Sequence, residues 1–153
     1  MSSEERVSDI MDSKVETTKP DVTAGDCAKA MAKGDRGYAV VVEGTLAVGI
    51  VTERDLVQKV IAEGLDPSKV LVGDIMSTPL VKVSSDSSVD DAAQLMADYG
   101  IRKVVVIDPS GGLAGIVTAE AFAKILASRN NFSDPKLNAL ANAKADSPSS
   151  PYQ

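Results

Sequence analysis

The sequence predicts an α/β (α+β) protein made of two β-α-β-β-α repeats that pack sheet against sheet. Two matches reveal the repeat: VSDIM at residues 7–11 returns as VGDIM at 72–76, and GIVT at 49–52 returns at 115–118. Internal similarity at such a fixed period indicates a repeated structural unit. A unit of about 60 residues buries too small a share of its surface to be stable alone, so the repeats are expected to pair.

Both repeats contain the same elements in the same order. An extended piece comes first, at 15–18 and at 80–83, and a helix with apolar residues at helical spacing follows it. A hydroxyl residue with an acid three positions later, the pattern of a capping box, precedes each helix at 23–26 and 88–91.

A hairpin and a closing helix complete each repeat. The β-branched runs that predict the hairpins lie at 39–42 and 46–51, and again at 104–107 and 113–117. The closing helices, at roughly 53–63 and 119–128, carry apolar stripes too wide for one small core, which predicts a homodimer. The predicted domains are repeat 1 at 1–66, repeat 2 at 67–128, and a tail at 129–153 that is partly helical or disordered.

The composition argues against several classes of function. A net charge of −6 and a pI of about 4.6 disfavour nucleic-acid binding, which needs a basic footprint. The chain has no His and one cysteine, Cys27, so the sequence offers no nucleophile–base pair and no metal-ligand cluster. We therefore expect neither catalysis nor a bound metal. Cys27 lies among alanines and is expected to be a small buried hydrophobe.

The expected location is the cytoplasm. The opening residues, MSSEERVSDIM, include acids and no apolar run, so they do not form a signal peptide. No apolar segment approaches the roughly 18 residues that a membrane span requires.

Five segments carry a family resemblance: VSDIM, VGDIM, VKVSSDSSVDDAAQLM, IRKVVVID and GIVTERDL. Their order, repeated across about residues 5–128, resembles a stand-alone tandem pair of cystathionine-β-synthase (CBS) domains, often called a Bateman module. The resemblance implies pseudo-twofold symmetry and two clefts between the repeats. It also implies an adenosine ligand, which is AMP, ADP, ATP or S-adenosylmethionine, and regulation of an unknown partner protein, with no cofactor required.

The resemblance assigns residues to a first site. In the family motif G-h-h-T/S-x-x-D the acid takes the ribose hydroxyls and the Thr or Ser lies near the phosphate; GIVTERD at 49–55 matches it completely. A strand of the other repeat flanks the adenine, and basic residues in its next strand hold the phosphate. The implied ligand contacts are Ile50, Thr52, Asp55, Lys82, Val83, Arg102 and Lys103.

The second site departs from the pattern, because Ala121 replaces the acid in GIVTAEA. The residues that the resemblance assigns to this weaker site are Thr18, Arg36, Tyr38, Ile116 and Thr118. Loss of a hydrogen bond to a charged group weakens binding on the order of 10- to 100-fold.

Asp55 also has a structural interpretation, since residues 52–55 form a capping box of their own. The second repeat keeps its helix without the acid, which favours the ligand interpretation. The leading hypothesis is thus a regulatory adenine-nucleotide-binding module. The alternative is a structural or oligomerisation adaptor that grips a partner protein without any ligand.

Overall fold

The computed structural model describes residues 5–129, which form two compact units. The first unit comprises residues 14–80, and the second comprises 5–13 together with 81–129. The VSDIM segment therefore packs with the sheet of repeat 2, and VGDIM packs with the sheet of repeat 1. The two units are defined by which residues pack together, whereas the predicted domains are defined by the sequence repeat. The predicted boundaries at 66 and 128 therefore stay predictions. The predicted tail lies outside the described residues from position 130 onward.

The first unit is a three-stranded sheet with helices packed beside it. Its strands are β1 (Thr17–Thr18), β2 (Tyr38–Glu43) and β3 (Leu46–Thr52), and its helices are α1 (Ala24–Lys33), α2 (Glu53–Leu56) and α3 (Val72–Ile75). β1 pairs with β2 in parallel, and β2 pairs with β3 as an antiparallel hairpin. α2 continues without a break into a π-helical segment, Val57–Ile61.

The second unit repeats this arrangement. Its strands are β4 (Lys82–Ser84), β5 (Lys103–Ile107) and β6 (Leu113–Thr118), its helices are α4 (Val89–Tyr99) and α5 (Ala119–Arg129), and a 3₁₀ turn spans Val7–Asp9. β4 pairs with β5 in parallel and β5 with β6 in antiparallel fashion. Two sheets with the same strand order confirm the α/β class and the element order predicted from the sequence.

The first long helix of each unit begins where the capping pattern predicts. The Thr23 hydroxyl accepts a hydrogen bond from the Asp26 amide at 3.1 Å, and the Ser88 hydroxyl accepts one from the Asp91 amide at 3.1 Å. Each bond satisfies one of the amides that the first turn of a helix leaves without a partner.

The core of the first unit consists mainly of small and β-branched side chains. Cys27 lies in this cluster with 1% of its surface exposed, and burial raises the pKa of its thiol, as expected for an inert small hydrophobe. The closing helix is covered on one side only: Val60 is buried, whereas Val57 and Ile61 are 57% and 64% exposed.

Candidate functional site

The start of α2 is a complete capping box. The Thr52 hydroxyl accepts from the Asp55 amide at 3.3 Å, and Asp55 Oδ2 accepts from the Thr52 amide at 2.9 Å. Thr52 is fully buried and Asp55 is only 4% exposed. The capping interpretation of residues 52–55 is thereby confirmed; a ligand role for Asp55 stays a prediction.

Two further side chains hold the Asp55 carboxylate. Lys59 Nζ lies 2.9 Å from Asp55 Oδ1 and also donates to the Ile75 carbonyl at 2.9 Å. The Ser77 hydroxyl donates to Asp55 Oδ1 at 3.1 Å and lies 3.3 Å from Oδ2. A buried carboxylate is costly unless it is paired and hydrogen-bonded, and Lys59 and Ser77 meet that requirement here.

Neither Lys59 nor Ser77 was predicted from the sequence as a partner of Asp55. Lys59 follows Asp55 by four positions, and this spacing places two side chains next to each other on a helix. The ion pair between them could therefore have been predicted from the sequence. Ser77 lies 22 residues from Asp55, and no local pattern indicates their contact. It reaches the carboxylate because Ser77 pairs with Ile50 of β3, with its amide donating to the Ile50 carbonyl at 2.8 Å.

The glycine of each GIVT segment is explained by the close approach of the VxDIM segment of the same unit, or of the residue that follows this segment. A Cβ on Gly49 would lie 2.7 Å from Met76 Sδ. A Cβ on Gly115 would lie 2.7 Å from the backbone oxygen of Asp12 and 2.9 Å from Met11 Sδ. A side chain at either position would therefore push the segment away from the strand.

The start of α5 has the same backbone arrangement with different side chains. The Thr118 hydroxyl accepts from the Ala121 amide at 3.3 Å, so the hydroxyl half of the cap remains. Asp12 pairs with Ile116 through two backbone hydrogen bonds of 2.8 and 3.0 Å. The position four residues after Ala121, equivalent to Lys59, holds Ile125.

The basic residues assigned to phosphate lie at the start of β5. Arg102 Nη2 contacts Glu120 Oε2 at 2.5 Å; the arginine side chain is 14% exposed and the glutamate 56%. Burial acts against ionisation of Glu120, but its own backbone amide and Arg102 together hold the pKa of that carboxyl below its usual value. Lys103 lies opposite Thr118 in the β5–β6 pair.

The remaining assigned residues are divided between the units. Lys82 and Val83 lie on β4 of the second unit, where Lys82 is exposed and Val83 is buried. Tyr38 begins β2 opposite Thr52, and Thr18 on β1 lines a cavity of about 400 Å³ in the first unit. Each predicted site draws residues from both units, so its full set of contacts stays a prediction.

Residues 5–129 contain neither a cluster of metal ligands nor a membrane-spanning helix. Within this part of the chain, no group of three or more His, Cys, Asp or Glu side chains could hold a metal ion. No helix in the same range combines the length and the apolar character needed to cross a bilayer.

Two small α/β units built on one repeat define the class of the protein. The family model of the CBS domain matches residues 7–62 and 72–128, which is well over half of the sequence. The chain therefore belongs to the CBS-domain family, and the resemblance found in its sequence is confirmed.

Related sequences support this assignment. The chain is 41% identical over 115 residues to the uncharacterized protein MK0525 of Methanopyrus kandleri. The matched region covers 74% of this chain and 59% of that protein. It is 36% identical over 111 residues to the CBS domain-containing protein YhcV of Bacillus subtilis, covering 72% and 78% respectively. The chain thus spans less than two thirds of the Methanopyrus protein.

Solved structures of similar proteins contain adenosine compounds. The CBS domain protein PAE2072 of Pyrobaculum aerophilum, complexed with AMP, is similar with a TM-score of 0.71 and 26% identity, over 82% of this chain and 99% of that one. The CBS domain pair of protein MJ0100, in complex with 5′-methylthioadenosine and S-adenosylmethionine, has a TM-score of 0.72 and 26% identity, over 81% and 97%.

Proposed function

We propose that the chain binds an adenosine-containing ligand and that this binding regulates a partner protein. Two structurally similar family members contain such ligands, which supports this class of compound. On this proposal a ligand shifts the chain between conformations that the partner distinguishes by affinity. No catalytic step is proposed, and the cytoplasmic location stays a prediction.

One observation supports Asp55 as the ribose-binding residue: its carboxylate already accepts a hydrogen bond from a hydroxyl group, that of Ser77. A ribose presents two adjacent hydroxyls, each of which can donate in the same way. Because Asp55 is 4% exposed, we propose that a ribose hydroxyl takes the place of the Ser77 hydroxyl on the carboxylate. Thr52, at the N-terminus of α2, would then lie near the phosphate.

The proposal gives Lys82 and Val83 a place beside the adenine, and Arg102 and Lys103 a place at the phosphate. Arg suits phosphate oxygens because its planar guanidinium donates two parallel hydrogen bonds. Phosphate would have to compete with Glu120, which already holds Arg102. We therefore expect the number of ligand phosphates to change affinity only modestly.

Isothermal titration with AMP, ADP, ATP and S-adenosylmethionine tests the site. Asp55→Asn is expected to weaken binding on the order of 10- to 100-fold, since the neutral amide is a poorer acceptor. Glu63→Gln, which removes an equal charge from an exposed position of the same unit, is the matched control and should bind normally. Equal binding by wild type and Asp55→Asn, or no binding by either, would exclude the assignment.

Ser77→Ala provides a second test with the opposite sign. If a ribose hydroxyl replaces the Ser77 hydroxyl, removing the latter eliminates a competitor, and AMP should bind about 2- to 10-fold more tightly. If Ser77 only positions the carboxylate, the same variant binds AMP more weakly, and the displacement model is wrong.

A structural adaptor is the second candidate function. The observation that favours it is the exposure of three large apolar side chains in and just after the π-helical segment: Val57, Ile61 and Leu65 are 57%, 64% and 47% exposed. Exposed apolar side chains close together in the chain are typical of a surface that another chain covers, and a homodimer is the simplest such assembly. Light scattering of Ile61→Asp tests the dimer. An adaptor that takes no ligand would show no thermal stabilisation by any of the four nucleotides.

A further inference from the structure

The Asp55 carboxylate uses its acceptor positions on groups of its own chain. Each of its two oxygens accepts about two hydrogen bonds, which gives roughly four positions in all. Oδ1 accepts from Lys59 Nζ at 2.9 Å and from the Ser77 hydroxyl at 3.1 Å. Oδ2 accepts from the Thr52 amide at 2.9 Å and from the Thr52 hydroxyl at 3.2 Å. A ligand that binds this carboxylate must therefore displace at least one of these donors.

These donors differ in how easily each can leave the carboxylate. The Thr52 amide and hydroxyl belong to the cap that starts α2, so displacing them would open the helix. Ser77 and Lys59 hold the carboxylate through their side chains alone. The Lys59 side chain is 43% exposed, and its amine also donates to the Ile75 carbonyl at 2.9 Å. Lys59 can therefore rotate away from Asp55 and still keep a hydrogen bond and contact with water.

A ribose diol needs two acceptor positions, whereas a single hydroxyl needs one. The proposed replacement of the Ser77 hydroxyl provides one position, on Oδ1 of Asp55, for the first ribose hydroxyl. The second hydroxyl has to take the position of Lys59 Nζ, because the Thr52 donors stay in the cap. The two ribose hydroxyls therefore meet different competitors: one replaces a neutral hydroxyl, and the other replaces an ion pair.

The second unit shows that the closing helix itself does not require a lysine at this position. The position equivalent to Lys59 holds Ile125, the position equivalent to Asp55 holds Ala121, and α5 is a regular α-helix. The lysine is thus present in the unit that has the buried carboxylate. Its pairing with Asp55 makes burial of that charge tolerable, and the same pairing decides what a ligand must replace.

We propose that Lys59 is a specificity-determining residue, which competes with the second ribose hydroxyl for Asp55 and so reduces the preference of the site for ribose over 2′-deoxyribose. The inference rests on the proposed function. In the wild type, the hydrogen bond that the second hydroxyl gains is offset by loss of the Lys59 contact. Without Lys59 the carboxylate has an open acceptor position, and the second hydroxyl then contributes its full hydrogen bond to a charged group.

Calorimetric titration of AMP and 2′-deoxy-AMP into wild type and Lys59→Met tests this inference. Methionine keeps an unbranched side chain and removes the amine. Wild type should bind the two nucleotides within about 3-fold of each other, whereas Lys59→Met should bind AMP about 10-fold or more tightly than 2′-deoxy-AMP. Lys29→Met, which removes the same charge from an exposed position of α1 in the same unit, is the matched control and should keep the wild-type ratio.

Thermal melts of each variant without nucleotide check that the fold is intact. If Lys59→Met is unfolded, Lys59→Gln, which keeps a neutral donor, takes its place and should give a ratio between those of wild type and a site without the amine. Equal ratios in wild type and the folded variant would overturn the inference, and so would weaker binding of AMP by that variant, which would make Lys59 a positioning residue. Both results leave the proposed function standing when Asp55→Asn weakens binding of AMP. No binding of AMP by wild type, or equal binding by Asp55→Asn, would overturn both.

Discussion

The starts of α2 and α5 differ in how much each depends on a carboxylate. Both helices begin at a threonine whose hydroxyl accepts from the amide three residues on. Only α2 adds the reciprocal bond from an acid, and only α2 adds a lysine four residues later. In α5 the threonine hydroxyl is sufficient to start the helix. The start of α2 therefore does not require the Asp55 carboxylate, which leaves that carboxylate available for a second role.

The helices that follow also differ. α5 runs for 11 residues as a regular α-helix, whereas α2 ends after four residues and passes into the π-helical segment Val57–Ile61. Lys59, which contacts both Asp55 and the Ile75 carbonyl, lies in that segment. Segments of π-helix inside helices occur frequently at functional sites, which agrees with a ligand role at this end of the first unit.

The largest expected effect on stability concerns the two glycines. Gly115→Ala should destabilise the chain by about 1 to 3 kcal/mol, because the new Cβ meets the backbone of Asp12, which has little freedom to move. Gly49→Ala should cost less, since its nearest contact is the flexible Met76 sulfur. Urea denaturation of both variants measures the difference. An equal or larger cost for Gly49→Ala would show that the two segments do not pack as described.

Removing the Asp55 carboxylate is expected to have the next largest effect. Asp55→Ala should lower the free energy of unfolding by about 1 to 2 kcal/mol, because the Thr52 amide loses its acceptor at the cap. Thr118→Ala, which removes the hydroxyl cap of α5, provides the comparison and should cost about 1 kcal/mol. Thermal unfolding monitored by circular dichroism resolves both values. A neutral Asp55→Ala would mean that the acid contributes nothing to the fold.

The ion pair of Arg102 and Glu120 should have the smallest effect, at most about 1 kcal/mol, because Glu120 is largely exposed. The pKa of Glu120 is lowered in the folded chain, so the pair stabilises the protein at neutral pH, and this contribution is lost as the pH falls below 4.5. Melting curves of wild type and Glu120→Gln from pH 7 to pH 3 should converge in acid. A difference that persists at the lowest pH would rule out an electrostatic origin.

The part of the candidate site at the start of α2 could be predicted from the spacing of residues along the sequence. Thr52 and Asp55 are three residues apart, and a helix start brings such a pair together whatever the rest of the chain does. Arg102 lies just before β5, and its contact with Glu120 was not predicted, because nothing in a spacing of 18 residues indicates a contact. The assignment of these residues to a ligand remains a prediction.

The sequence by itself determined the repeat, the order of the elements and the helix caps, since each depends on residues a few positions apart. Only the tertiary structure decided that the VxDIM segments pack with the sheet of the opposite repeat, and that Ser77 and Asp12 therefore take equivalent places beside the two strand ends. Pairing between residues as distant as 12 and 116 depends on how the whole chain packs and not on local spacing. Physical contact between such positions leaves no periodic signal in the sequence.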